Sequence, residues 1–223
     1  MERGQQCCPI GVSSDDFGPM SSSFWLREMK HREIDGFTLV ELMVSMSIGM
    51  MVLAAVTTTF MSQTRIYNAQ EQINEMQQNA RGVLDIISRE VKMAGYNPSG
   101  GSFDGVTYGT TQLSVQADLD SSGTISTSTT ANEQITYAYD GVNKRISRAV
   151  GIGGAEILAD NISLFTFSYL DITGAATAVS ANIRQVSIDI TATTAKPDPN
   201  YTSNGGYRTY RVAATITPIN LAL

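Results

Sequence analysis

With 223 residues, 42% of them hydrophobic and 16% charged, the chain has the make-up of an ordered protein with room for one medium domain plus accessory segments. A formal charge of -6 and the lack of any basic cluster argue against a nucleic-acid partner, because phosphate binding needs concentrated Lys and Arg. The only histidine is His31 and the only cysteines are the adjacent Cys7 and Cys8, so a chain cut after residue 36 keeps none of them. That removes the usual general base, the thiol nucleophile and the common zinc ligands; no enzyme, no catalytic residue and no cofactor is expected.

Residues 1–28 mix Gly, Ser, Pro and isolated charges without a helical or strand period, and Met29 is a plausible initiator. The polar "MKHREIDG" leads into "FTLVELMVSMSIGMMVLAAV", whose run 42–61 is 20 uncharged residues long. At 1.5 Å per residue such a run spans the roughly 30 Å hydrocarbon core of a bilayer, so 37–61 reads as a transmembrane helix. A cleaved secretory signal or a buried core helix are the alternatives. Glu41 is the only charge between Phe37 and Gln63, and a carboxylate at a bilayer centre costs about 2.5–3.5 kcal/mol. Placed near the start of the helix, it could serve simply to favour that helix N-terminus, by up to about 1 kcal/mol.

The apolar pattern continues as Ile66, Ala69, Ile73, Met76, Ala80, Val83, Ile87, Val91 and Ala94, a single stripe at helical spacing, with polar residues on the other faces. Segment 62–95 therefore reads as an amphipathic helix, weakened at Gly82 and stopped by "AGYNPSGG". One helix over 37–95 would be about 90 Å long. From residue 96 to 223 the sequence turns β-rich. Strands are expected at 112–118, 134–140, 144–150, 162–171, 183–194 and 207–217, with "YDGVNK" as a hairpin turn and no helical segment between them to make parallel crossovers. The fold class is α+β: a long N-terminal helix whose amphipathic half packs on an antiparallel sheet.

"GFTLVELMVSMSIG" resembles the type IV prepilin signature, with Gly36 as the last leader residue, an aromatic Phe37 at the first mature position, and Glu41 at the fifth. "NARGVLDIISREVKMAGY", followed by "LFTFSYLDITG" and "IRQVSIDI", is similar to PilW-type minor pilins and, more distantly, to the J-type minor pseudopilins of type II secretion. The resemblance implies a leader 1–36, cleavage between Gly36 and Phe37 and N-methylation of Phe37 by prepilin peptidase, and subunit assembly through Glu41. It implies a single-pass protein of the bacterial inner membrane with its globular part in the periplasm. Its partners would be the lipid bilayer, the inner-membrane pilus assembly platform, and the other minor and major pilins with which it joins a cell-surface pilus. The 36-residue leader is long for this group, which supports a start at Met29. Thr58 stands where major pilins often carry a helix-kinking proline, and the two cysteines of the major-pilin C-terminal loop are missing, which argues for a minor subunit. A pseudopilin of a type II secretion system, or a membrane-anchored binding or adhesin domain, are the alternatives.

Three further features stand out. "DLDSSGTI" places Asp118, Asp120 and Ser122 at alternating positions like the first half of a calcium loop, but Thr129 occupies the twelfth position, and an Asp-rich turn is the plainer reading; no metal site is assigned. Phe165, Phe167 and Tyr169 share a strand face, as core residues do. Tyr201, Tyr207 and Tyr210, around "PDPNYTSNGG", mark a loop suited to contact with a surface or another subunit.

Overall fold

A computed structural model describes residues 36–221; the expected leader up to Asp35, with His31, Cys7 and Cys8, lies outside them. The described residues fall into two units, divided between Ala54 and Ala55. One helix, α1 (Leu39–Met93), has its first turns in the former and its remaining turns in the latter.

In the first unit α1 starts at a cap. The Glu41 N–H donates to Thr38 Oγ1 at 3.2 Å, satisfying an amide that the first turn leaves without a helical partner, and the Leu42 N–H donates to the Thr38 carbonyl at 3.1 Å as the first bond of the helical ladder. Every residue from Gly36 to Ala54 is exposed.

In the second unit the helix continues unbroken past Thr58. Its buried residues, Met76, Ala80, Val83, Ile87 and Val91, recur every three or four positions and place one stripe in the core. The stripe is covered only from Ile73 onward. Ile66 is exposed and Ala69 half-buried, so the lower end of the expected stripe meets no sheet.

The β-rich part forms two antiparallel sheets where one was expected. The first holds β1 (Val106–Thr107), β2 (Gln112–Gln116), β3 (Gln134–Asp140), β4 (Arg145–Val150) and β5 (Glu156–Ala159), in that spatial order. The second holds β6 (Ile162–Leu170), β7 (Gln185–Thr193) and β8 (Thr209–Ile216). Burial alternates along β7, where Val186, Ile188, Ile190 and Ala192 face the core, and Ile135 and Tyr137 do the same on β3. The Phe165–Phe167 and Phe167–Tyr169 rings meet along β6 at centroid distances of 5.5 and 5.8 Å, tilted and edge-to-face, packing as a core group.

Helix and sheets share a single apolar cluster. Polar ties supplement it: Glu90 binds Arg148 of β4 at 2.9 Å and accepts the Tyr137 hydroxyl of β3, while Arg81 donates to the Tyr210 hydroxyl of β8 at 3.1 Å. The helix ends at Gly95, whose φ of +76° is the left-handed conformation that closes helices, and a Cβ there would meet Leu221 at 2.5 Å. Asn220 Nδ2 donates to the carbonyls of Met93 and Ala94 at 3.4 and 3.5 Å, so the far end of the chain returns to the end of α1.

Candidate functional site

Two groups of residues singled out in the sequence have defined geometry. The first is the start of α1. Phe37 is 83% exposed, and Glu41 is an exposed carboxylate in the first helical turn, where negative charge is favoured by the helix dipole. Leu39, Val40, Leu42, Met43, Val44, Met46 and Ile48 are all exposed around it, an apolar surface left open among the described residues.

Hydroxyls within the apolar run and just beyond it are accommodated by the helix itself. Ser45 donates to the Glu41 carbonyl (2.7 Å), Ser47 to Met43 (2.8 Å), Thr58 and Thr59 both to Ala55 (2.9 Å), and Thr64 to Phe60 (3.0 Å). In hydrocarbon such internal bonds spare each hydroxyl the cost of a missing partner. By length and composition α1 is able to cross a membrane, and none of its most apolar stretch is buried in the chain. Thr38, the cap, was not singled out in the sequence, although the spacing Thr38-x-x-Glu41 is a capping-box signature that marks it.

The second group is Asp118, Asp120 and Glu133, whose carboxylate oxygens lie within 4.8 Å of one another. Asp118 and Glu133 are buried and Asp120 exposed. Glu133, fifteen residues after Asp118, is the carboxylate that the folded loop brings back to the two aspartates. Its Oε1 accepts the N–H groups of Leu119 and Asp120 at 3.0 Å and its Oε2 that of Ser126 at 2.7 Å. Asp118 accepts from Ser122 (3.0 Å) and Gly123 (2.9 Å), and Asp120 from Ser122 (2.9 Å). The hydrogen bonds to Asp120 hold its carboxyl below the usual range. These carboxylates staple the 118–133 loop through backbone amides, a sufficient reason for their position.

The Glu90–Tyr137–Arg148 cluster was not anticipated from sequence, since its members are far apart in the chain. Burial, then the Glu90 carboxylate beside it, pushes the Tyr137 phenol up, so it stays a neutral donor. Met93, Val115, Leu119 and Ile135 line a cavity of about 290 Å³ beside this cluster.

With this geometry established, comparison with known proteins bears on the helix start. Residues 33–57 match the family described as the prokaryotic N-terminal methylation motif, which takes in Gly36, Phe37 and Glu41. On that motif the chain is type IV prepilin-like. A solved structure, the type IV-like pilin TTHA1219 from Thermus thermophilus, is similar over 66% of this chain and 98% of its own, at 13% identity and a TM-score of 0.44. No curated protein matches the sequence.

Proposed function

We propose that the chain is a minor pilin, a structural subunit in the initiation or tip of a type IV pilus, held in the inner membrane by the apolar part of α1 before assembly. In this reading prepilin peptidase cuts between Gly36 and Phe37 and methylates the new Phe37 amine. Gly36 has no neighbour within 4 Å of the place a Cβ would take, so packing gives no reason for a glycine there and recognition by the peptidase does. The globular part stands in the periplasm, and the assembly platform and other pilins are its partners.

The observation that carries the reading is one carboxylate, Glu41, on an exposed helix that is otherwise uncharged from Phe37 to Thr64. When such helices bundle, each Glu41 leaves water, and an unpaired carboxylate there is costly. The cleaved amine of a neighbouring subunit's Phe37 offsets that cost and fixes the axial step between subunits. No chemistry is catalysed: the function is polymerisation.

Mass spectrometry of the mature protein tests the first step, with a chain beginning at N-methylated Phe37 as the expected result. An intact leader rejects the proposal. Glu41→Ala should leave cleavage in place and abolish or slow incorporation into fibres, and normal incorporation rejects the charge-pair role.

A further inference from the structure

The cavity beside the Glu90–Tyr137–Arg148 cluster has no role in the function above. Its floor, made by Val115, Ala117 and Ile135, is apolar and buried, and its rim, Met93 and Leu119, is apolar and exposed. At about 290 Å³ it lies at the lower limit of small-molecule sites, which run from about 300 to 1,000 Å³, so it suits a single side chain better than a cofactor.

Its surroundings are acidic. Glu90 and Glu133 line it, and the carboxylate oxygens of Asp118 and Asp120 lie within 4.8 Å of that of Glu133. Arg148 is the one cation of the lining and is held by Glu90, whereas Glu133, Asp118 and Asp120 are in none of the ion pairs among the described residues. Lys92, in the last turn of α1, is exposed and does not line the cavity. Glu90 and Met93 belong to that same turn, where the negative end of the helix dipole favours a cation.

The acceptors decide which cation fits. The Glu133 oxygens take three backbone amides, and those of Glu90 take Nε and Nη2 of Arg148 and the Tyr137 hydroxyl. Neither carboxylate of the lining offers the free two-oxygen edge that a second guanidinium would grip. A compact ammonium needs only single lone pairs and the summed field, and the apolar floor and rim match the methylene stem behind it.

We propose that this cavity receives a lysine side chain of a neighbouring subunit, its methylenes against Val115, Ile135 and Leu119 and its ammonium beside Glu90. The inference rests on the polymerisation proposed above, and it gives that assembly a charge contact in the β-rich part as well as the one at Glu41.

The test uses the full chain in detergent micelles with isotope-labelled methionine methyls, the Met93 resonance being identified by its loss in Met93→Leu. The probe n-butylammonium, which is the lysine side chain itself, should shift that resonance saturably, and butyrate, of opposite charge, should not. Glu90→Gln should weaken the butylammonium effect several-fold. Leu119→Lys, at an exposed position, should abolish it by supplying the occupant from within the chain. In sheared fibres a carbodiimide, which couples a carboxylate to an amine in contact with it, should join Glu90 to a lysine of another subunit. Equal shifts with the two probes, or none, overturn the cation site. A butylammonium shift without a Glu90 cross-link, in fibres that contain the chain, overturns the neighbouring lysine as its occupant. A chain absent from the fibres overturns the polymerisation on which the inference rests, and mass spectrometry of the fibres tells these last two results apart.

Discussion

Two stretches of α1 built from the same residue types meet opposite fates. Around Val52 the apolar side chains are exposed in every direction, while around Ile87 one stripe is fully buried against the sheets. The difference lies in what the remaining faces carry. An all-round apolar surface cannot be satisfied by a single sheet and calls for lipid or other helices, whereas a stripe backed by Gln, Asn and Arg needs only one partner and finds it in its own chain. Stability of the β-rich unit should therefore reside in the second stretch and be blind to the first.

The sharpest way to break this contrast is a pair of truncations. Ile87→Ala should destabilise the unit by about 2–5 kcal/mol, read from its chemical-unfolding midpoint, because the side chain is fully buried. Val52→Ala should leave that midpoint unchanged. Glu133→Ala comes next, at about 3 kcal/mol, since it removes a buried carboxylate that accepts three amides of the 118–133 loop, and hydrogen exchange at Leu119, Asp120 and Ser126 should accelerate.

Tyr137→Phe should cost less, about 1.5 kcal/mol, because Arg148 still satisfies Glu90. It also has a pH signature. The Tyr137 phenol titrates above its ordinary value of 10.0 in the folded state. Its contribution is thus fully present below pH 10 and is lost as the unfolded chain ionises at higher pH. Unfolding midpoints measured from pH 9 to 11.5 should fall more steeply for the parent protein than for Tyr137→Phe. The smallest effect runs the other way: Gly82→Ala, at an exposed helical position with open space around it, should stabilise the unit by about 1 kcal/mol in the same unfolding assay.

Local patterns carried much of this architecture. The β3 strand coincides with the alternating "QITYAYD", and β4, β6, β7 and β8 fall within the expected segments, because each alternates over a length sufficient to expose its period. The two-residue β1 and the four-residue β5 are too short to show one. The division into two sheets was illegible because it depends on which strand edges pair across the fold. The helix start was readable from composition, since a lone carboxylate in an apolar run is conspicuous wherever the chain folds. The Glu90–Tyr137–Arg148 tie was not, because nothing in the spacing of three residues 47 to 58 positions from Glu90 to its partners announces their meeting. Glu133 lies between these cases: its distance from Asp118 concealed a loop that only the closed structure brings together.

The clasp at Gly95 has a consequence for how such a chain can change. Strands and loops depart from the helix after Met93 and come back to it at Asn220 and Leu221, so everything between leaves and returns through one doorway. Segments whose ends lie side by side can be enlarged, trimmed or exchanged with little disturbance to what carries them. Loops between Gly95 and Asn220 can thereby change length without moving either tie, so long as the strands keep the apolar face that meets Met76, Val83 and Ile87.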